Sequence, residues 1–182
     1  MLYLFLAQGF EELEAVAPLD LLRRAELDVL TVGVGGDAVT GVHGITVKTD
    51  LADGSPDLDG PFDGIILPGG MPGTLNLEKS AAVQSMLGRA HKEKKLIAAI
   101  CAAPLIPGRR GYLRDVRACC FPGFEDRLEG AVLSSDPVCA DGNVITAKGA
   151  GAAVEFGLGI VRYFCGQERA RLLASSVQMA DR

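Results

Sequence analysis

Two short, unbroken apolar runs constrain this chain more than any other feature: Gly64-Ile65-Ile66-Leu67 and Leu96-Ile97-Ala98-Ala99-Ile100. Neither alternates apolar with polar residues, so neither suits a sheet with one wet face. Both suit strands of a parallel sheet covered on two sides. The first stops at Pro68-Gly69-Gly70 and the second at Cys101-Ala102, with a helical stretch over 80–93 between them. An apolar start, Leu2-Tyr3-Leu4-Phe5-Leu6, reads as a further strand. It leads through Gly9 into residues 11–24, where glutamates open a helix and Arg23 and Arg24 close it, the charge order that suits a helix dipole.

The remaining elements follow the same alternation. Residues 28–34 read as a strand, 38–42 with 45–48 as a small hairpin around His43-Gly44, and 52–62 as an Asp-, Gly- and Pro-rich loop. Beyond Cys101, Pro104 and Pro107 predict a short or distorted helix, since only one of them fits a first-turn position comfortably. A strand over 116–120, a hairpin turning at Asp141-Gly142 and a last helix over 152–164 complete the pattern. Strands alternating with helices predict one α/β domain over residues 1–182, a mostly parallel sheet with helices on both faces. In such sheets ligands bind beyond the carboxyl ends of the strands.

Composition narrows the function classes. The net charge of −5 gives no broad basic field, and no Lys/Arg stripe is interleaved with aromatics, which argues against nucleic acid as a partner. The apolar start is too short, and too soon followed by glutamates, for a signal peptide or membrane span. Five cysteines without regular spacing make neither a disulfide framework nor a C-x-x-C metal site, so the expected home is a reducing cytoplasm, with no metal and no cofactor.

The chemistry is expected where the two apolar runs end side by side. A cysteine at a strand-to-helix turn meets backbone N–H groups and a helix dipole that favour the thiolate and lower its pKa. Gly70, lacking a Cβ, brings a second N–H close, so Gly70 and Ala102 are the candidate oxyanion donors, with Gly69 beside them. Position alone leaves open whether Cys101 is reactive or an inert core thiol. Glu14 differs from the other early glutamates because its helical neighbours at i+3, i+4 and i+7 are Ala17, Pro18 and Leu21; a carboxyl facing that stripe tends to be protonated near neutral pH.

Four segments in order resemble the ThiJ/PfpI superfamily, in its parkinsonism-associated deglycase-like branch. They are Gly9-Phe10-Glu11-Glu12-Leu13-Glu14, Leu67-Pro68-Gly69-Gly70, Ala98-Ala99-Ile100-Cys101-Ala102-Ala103-Pro104 and Gly149-Ala150-Gly151-Ala152-Ala153-Val154-Glu155-Phe156. The resemblance covers essentially the whole chain. It implies a flavodoxin-like doubly wound fold, a homodimer, Cys101 as nucleophile and Glu14 as its protonated partner. It also places His43 where relatives carry a basic residue near the mouth of the site, although a plain turn residue is the simpler reading.

Departures from the family pattern matter as well. Phe121 stands before Pro122 where many relatives carry histidine, no histidine follows Cys101, and Ala102 is the next residue, so protease and amidotransferase readings lose their general base. Ala150 replaces the family's usual proline.

His91 is expected on the surface at the opposite sheet edge, roughly 20 Å from Cys101 at ~3.3 Å per strand residue. Cys120 is a candidate for facing the site, while Cys119, Cys139 and Cys165 are expected to be structural. Two functions share this constellation. One is a deglycase or glyoxalase acting on a small carbonyl substrate such as methylglyoxal or its adducts; the other is a redox sensor or stress chaperone working through oxidation of Cys101.

Overall fold

The computed structural model describes residues 1–55 and 60–179. In chain order the elements are β1 (Leu2–Leu6), α1 (Glu12–Arg24), β2 (Val29–Gly33), β3 (Ala38–Thr40), β4 (Thr46–Lys48), β5 (Leu51–Ala52), β6 (Gly64–Leu67), α2 (Gly73–Lys79), α3 (Ala81–Glu93) and β7 (Leu96–Ile100). There follow α4 (Leu105–Arg109), β8 (Arg117–Ala118), β9 (Val132–Leu133), β10 (Val138–Asp141), β11 (Val144–Ala147) and α5 (Ala153–Ser176).

The main sheet has the order β10-β11-β7-β6-β1-β2-β5, parallel except for β10 against β11. The chain steps one way from β1 to β2 and then returns across β1 to β6 and β7. That reversal leaves a crevice at the carboxyl ends of β1, β6 and β7. The doubly wound, flavodoxin-like expectation is met.

Alternation along each strand fills two cores. Tyr3, Phe5, Ile65, Leu67 and Ile97 face α3 and α4 through Val83, Met86, Leu87 and Leu105, while Leu2, Leu4, Leu6, Ile66 and Ile100 face α1 and α5 through Leu22, Phe156 and Ile160. On that second face the helices nearly touch: a Cβ on Gly157 of α5 would lie 2.8 Å from the Cα of Pro18 in α1. Pro18 sits inside α1, but Glu11 caps the helix, its side chain accepting from the Glu14 N–H at 2.8 Å, and packing against α5 holds the rest.

Several expectations are corrected. The strand over 116–120 shrinks to β8, paired with β9 in a separate two-stranded sheet, because Cys119 and Phe121 spend their N–H groups elsewhere. Cys119 donates to the Thr146 hydroxyl and Phe121 to the Cys101 carbonyl. The last helix runs past Phe164 to Ser176, broken at Gly166 (φ 84°, ψ 167°), and its second half buries Ala170 and Leu173. α2 is an added element that the Pro- and Gly-rich signal at 68–73 hid. Pro104 and Pro107 are both accommodated: one is the N-cap of α4 and the other its third residue, where the missing N–H has no intrahelical partner to lose. His91 stacks on Tyr112 at 4.0 Å between ring centroids and is half-buried rather than solvated, and Cys165 is exposed. The loop expected over 52–62 begins in β5, and its residues 56–59 lie outside those described.

Candidate active site

Three chain segments meet in the crevice. After β1 the chain turns into α1, and the Glu11 N–H donates to the Gly69 carbonyl at 3.0 Å, which fastens the start of α1 to the turn after β6. After β7, Cys101 takes a left-handed backbone (φ 64°), unusual for any residue with a Cβ. Its N–H donates to Ala147 on β11 and its carbonyl accepts from Phe121, both at 2.8 Å, so neighbours on two sides hold the strained turn.

Glu14 is 1% exposed. Its Oε2 accepts from the Gly69 N–H at 2.9 Å, and its carboxyl also hydrogen-bonds the Cys101 side chain and the Ala150 backbone. Gly69 makes the pairing possible: a Cβ there would stand 2.6 Å from both the Cys101 Cβ and Glu14 Oε2, and 3.1 Å from the Cys101 Sγ. Gly70 carries φ 87°, and a Cβ on it would lie 2.5 Å from the Glu11 N. The backbone N–H groups of Gly70 and Ala102 both approach the Cys101 sulfur and favour its charged form.

Electrostatics revises the expected thiol. Burial pushes Cys101 up to about 12, the Glu14 charge and hydrogen bond adding to it, and the Gly70 and Ala102 N–H groups offset only part. Burial likewise raises Glu14 to about 7, against the hydrogen bonds from Cys101 and Gly69. The turn therefore does not lower the resting thiol pKa: desolvation of a half-buried sulfur outweighs two N–H dipoles. The pair keeps its proton on sulfur, and Glu14 is protonated below about pH 7, in the range where a carboxyl exchanges protons most readily.

The other candidates divide. His43 is exposed and belongs to a latch on the start of α1: its backbone N–H donates to Glu12 Oε1 at 2.7 Å and its Nδ1 lies 2.8 Å from Oε2. Burial works against the Glu12 charge, but these bonds outweigh it and hold Glu12 below the usual carboxylate range. Glu11, Glu12 and His43 bring ligand atoms within 4.8 Å of one another, the one set among the described residues with metal-ligand spacing. Both Glu12 oxygens are already committed to His43. Reading the early glutamates as helix-dipole partners missed this latch, since nothing in the sequence pairs Glu11 and Glu12 with a turn some thirty residues away.

Cys120 is buried in the core cluster that contains Ala102 and Leu105, so it backs the nucleophile turn rather than opening on the crevice. Phe121 is 47% exposed, and its ring borders Gly149. A groove between the two halves of α5 and β10 shares no residue with this site. Among the described residues no helix is long and apolar enough to cross a membrane.

A family model described as DJ-1/PfpI family matches residues 1–163. The Parkinson disease protein 7 homolog of Danio rerio is 35% identical over 180 residues, covering 97% of this chain and 95% of the relative. The glutathione-independent glyoxalase DJR-1.2 of Caenorhabditis elegans is 33% identical over 172 residues, covering 93% and 91%. The solved structure of oxidized DJ-1 from Toxoplasma gondii matches with a TM-score of 0.94 at 32% identity, covering 99% of this chain and 98% of that one.

Proposed function

The chain belongs to the DJ-1/PfpI family, and from that premise we propose that it is a cysteine-dependent, cofactor-independent glyoxalase or deglycase acting on small α-oxoaldehydes such as methylglyoxal, or on their adducts. The observation that carries this reading is the buried contact between Cys101 and a carboxyl raised to about 7, with two N–H groups converging on the sulfur. The glyoxalase name of the Caenorhabditis relative supports it.

In the proposed sequence the Glu14 carboxylate takes the Cys101 proton as the sulfur attacks the aldehyde carbon. The carbonyl oxygen gains the electron pair beside the Gly70 and Ala102 N–H groups, and Glu14 returns the proton to it, giving a hemithioacetal. Glu14 then removes the hydrogen on that carbon as a proton. The C–H electrons form a carbon–carbon double bond while the neighbouring ketone oxygen takes up its carbonyl pair. That oxygen then receives the hemithioacetal hydroxyl proton, and Glu14 returns its proton to the former ketone carbon as the first carbon regains a carbonyl, leaving a thioester of the 2-hydroxy acid. Water hydrolyses the thioester, releasing the acid and restoring the thiol. Every atom is accounted for by one aldehyde and one water.

A homodimer is part of the proposal: Leu13 and Val16 on α1, with Val42 and Ile45 by the hairpin, are apolar and exposed, a face suited to a second copy. A second reading, oxidation of Cys101 to a sulfinate beside protonated Glu14, is favoured by the oxidized state of the Toxoplasma relative.

The test is turnover of methylglyoxal to lactate, without added thiol or metal, by wild type beside Cys101→Ser. Turnover by wild type alone is expected. Equal rates, or none from either, would overturn the enzyme reading and leave the redox one.

A further inference from the structure

We infer that Phe121 is the specificity wall of this site, and that the preferred carbonyl substrates carry a flat apolar substituent, an aryl group above all, rather than a polyol. The inference rests on the reading of Cys101 as the attacking atom.

Three observations place the ring. Its own backbone N–H donates to the Cys101 carbonyl at 2.8 Å, so the residue is registered directly on the nucleophile turn. An added Cβ on Gly149 would meet Phe121 Cδ2 at 3.3 Å, Phe121 Cε2 at 3.8 Å and Glu14 Oε1 at 3.8 Å, so the ring and the catalytic carboxyl border one and the same small space. Phe124 braces the ring edge-on, with centroids 6.5 Å apart and planes at 73°.

Phe121 is nonetheless 47% exposed as a residue, while Cys119 and Cys120 before it are buried. A large apolar side chain held by its backbone and a second aromatic, yet left half open beside a nucleophile, offers a surface on which a substituent can stack. It offers no hydrogen-bond donor or acceptor. A polyol chain, as on a glycated sugar adduct, would leave hydroxyls unpaired against it, which selects against that substrate class.

The experiment compares wild type with Phe121→Ala and Phe121→Tyr using two matched pairs of probes. Turnover is read as the ratio of kcat/KM for phenylglyoxal to that for methylglyoxal. Reactivity at Cys101 is read separately, by peptide mass spectrometry, as the ratio of alkylation rates by N-phenyl iodoacetamide and iodoacetamide. Ratios cancel a general loss of activity or folded fraction.

Phe121→Ala is expected to lower both ratios about 3- to 10-fold, the range of an aromatic stacking contact, and Phe121→Tyr to keep them. A lowered alkylation ratio without any turnover would support the wall while the enzyme reading fails. Turnover with both ratios unchanged in Phe121→Ala would overturn the wall and leave the enzyme reading standing.

Discussion

The turns after β6 and β7 look alike in the sequence, an apolar strand stopped short by a tight turn, yet they do opposite things. The β6 turn supplies absence: Gly69 and Gly70 leave out the two Cβ atoms that would strike Cys101, Glu14 and Glu11. The β7 turn supplies presence: Cys101 keeps its side chain in a left-handed backbone where glycine would be easier, and hydrogen bonds to Ala147 and Phe121 secure it there. A reactive group in a packed interior needs both. One neighbour is shaped to yield space, and the other is strained to occupy it.

The comparison breaks most sharply at the occupant. Cys101→Ser is expected to reduce carbonyl turnover to background while the chain stays folded, because only the sulfur forms the intermediate; kinetics beside a thermal melt checks both halves. Mild peroxide with peptide mass spectrometry should also find Cys101 oxidised before Cys119 and Cys139, which are buried. Preferential loss at either buried thiol would sink the assignment.

Glu14→Gln is expected to lower turnover by about 10²-fold, as the amide cannot exchange a proton. The pH profile sharpens this. Glu14 acts as a base when ionised, so kcat/KM should rise through about pH 7 in wild type, and that limb should vanish in Glu14→Gln. Stability moves the other way. The folded carboxyl is raised from 4.5 to about 7, so the folded state holds a proton the unfolded chain has released. Wild type should therefore lose stability with rising pH across that window, by up to about 3 kcal/mol, and Glu14→Gln should not. Denaturant unfolding at pH 5 and pH 8 measures the difference.

Gly69→Ala tests the yielding turn. Its Cβ would overlap Cys101 and Glu14, so a loss of about 1–3 kcal/mol in stability is expected, with a fall in turnover. Gly151→Ala is the control: the added Cβ meets nothing within 4 Å, and stability should change by less than about 0.5 kcal/mol. Equal effects at Gly69 and Gly151 would mean that the close approach after β6 has no bearing on the site.

Much of this was legible beforehand because it depends on local pattern. The unbroken runs at 64–67 and 96–100 have one comfortable home, strands covered on both faces, and the charge order of 11–24 marks both ends of α1. The apolar stripe beside Glu14 anticipated its burial, and the missing side chain of Gly70 its close approach. The short β8 was not legible, because what removes Cys119 and Phe121 from a ladder is the pull of Thr146 and Cys101, partners far along the chain. The second half of α5 was hidden by Gly166, a residue that ordinarily ends a helix and here only breaks it.

By itself, then, the sequence determined which residues could become strands, where each would stop and which side chains would stand at those stops, since these follow from periodicity, helix ends and the steric freedom of glycine. Only the tertiary structure decided how those side chains behave. The proton affinity of Cys101 and Glu14 depends on how much water the surrounding layers remove and on the charges they bring close. The helix dipole pointed to a lowered thiol pKa, and burial overruled it, because desolvation sums over every packed neighbour while a helix terminus acts only along its own axis.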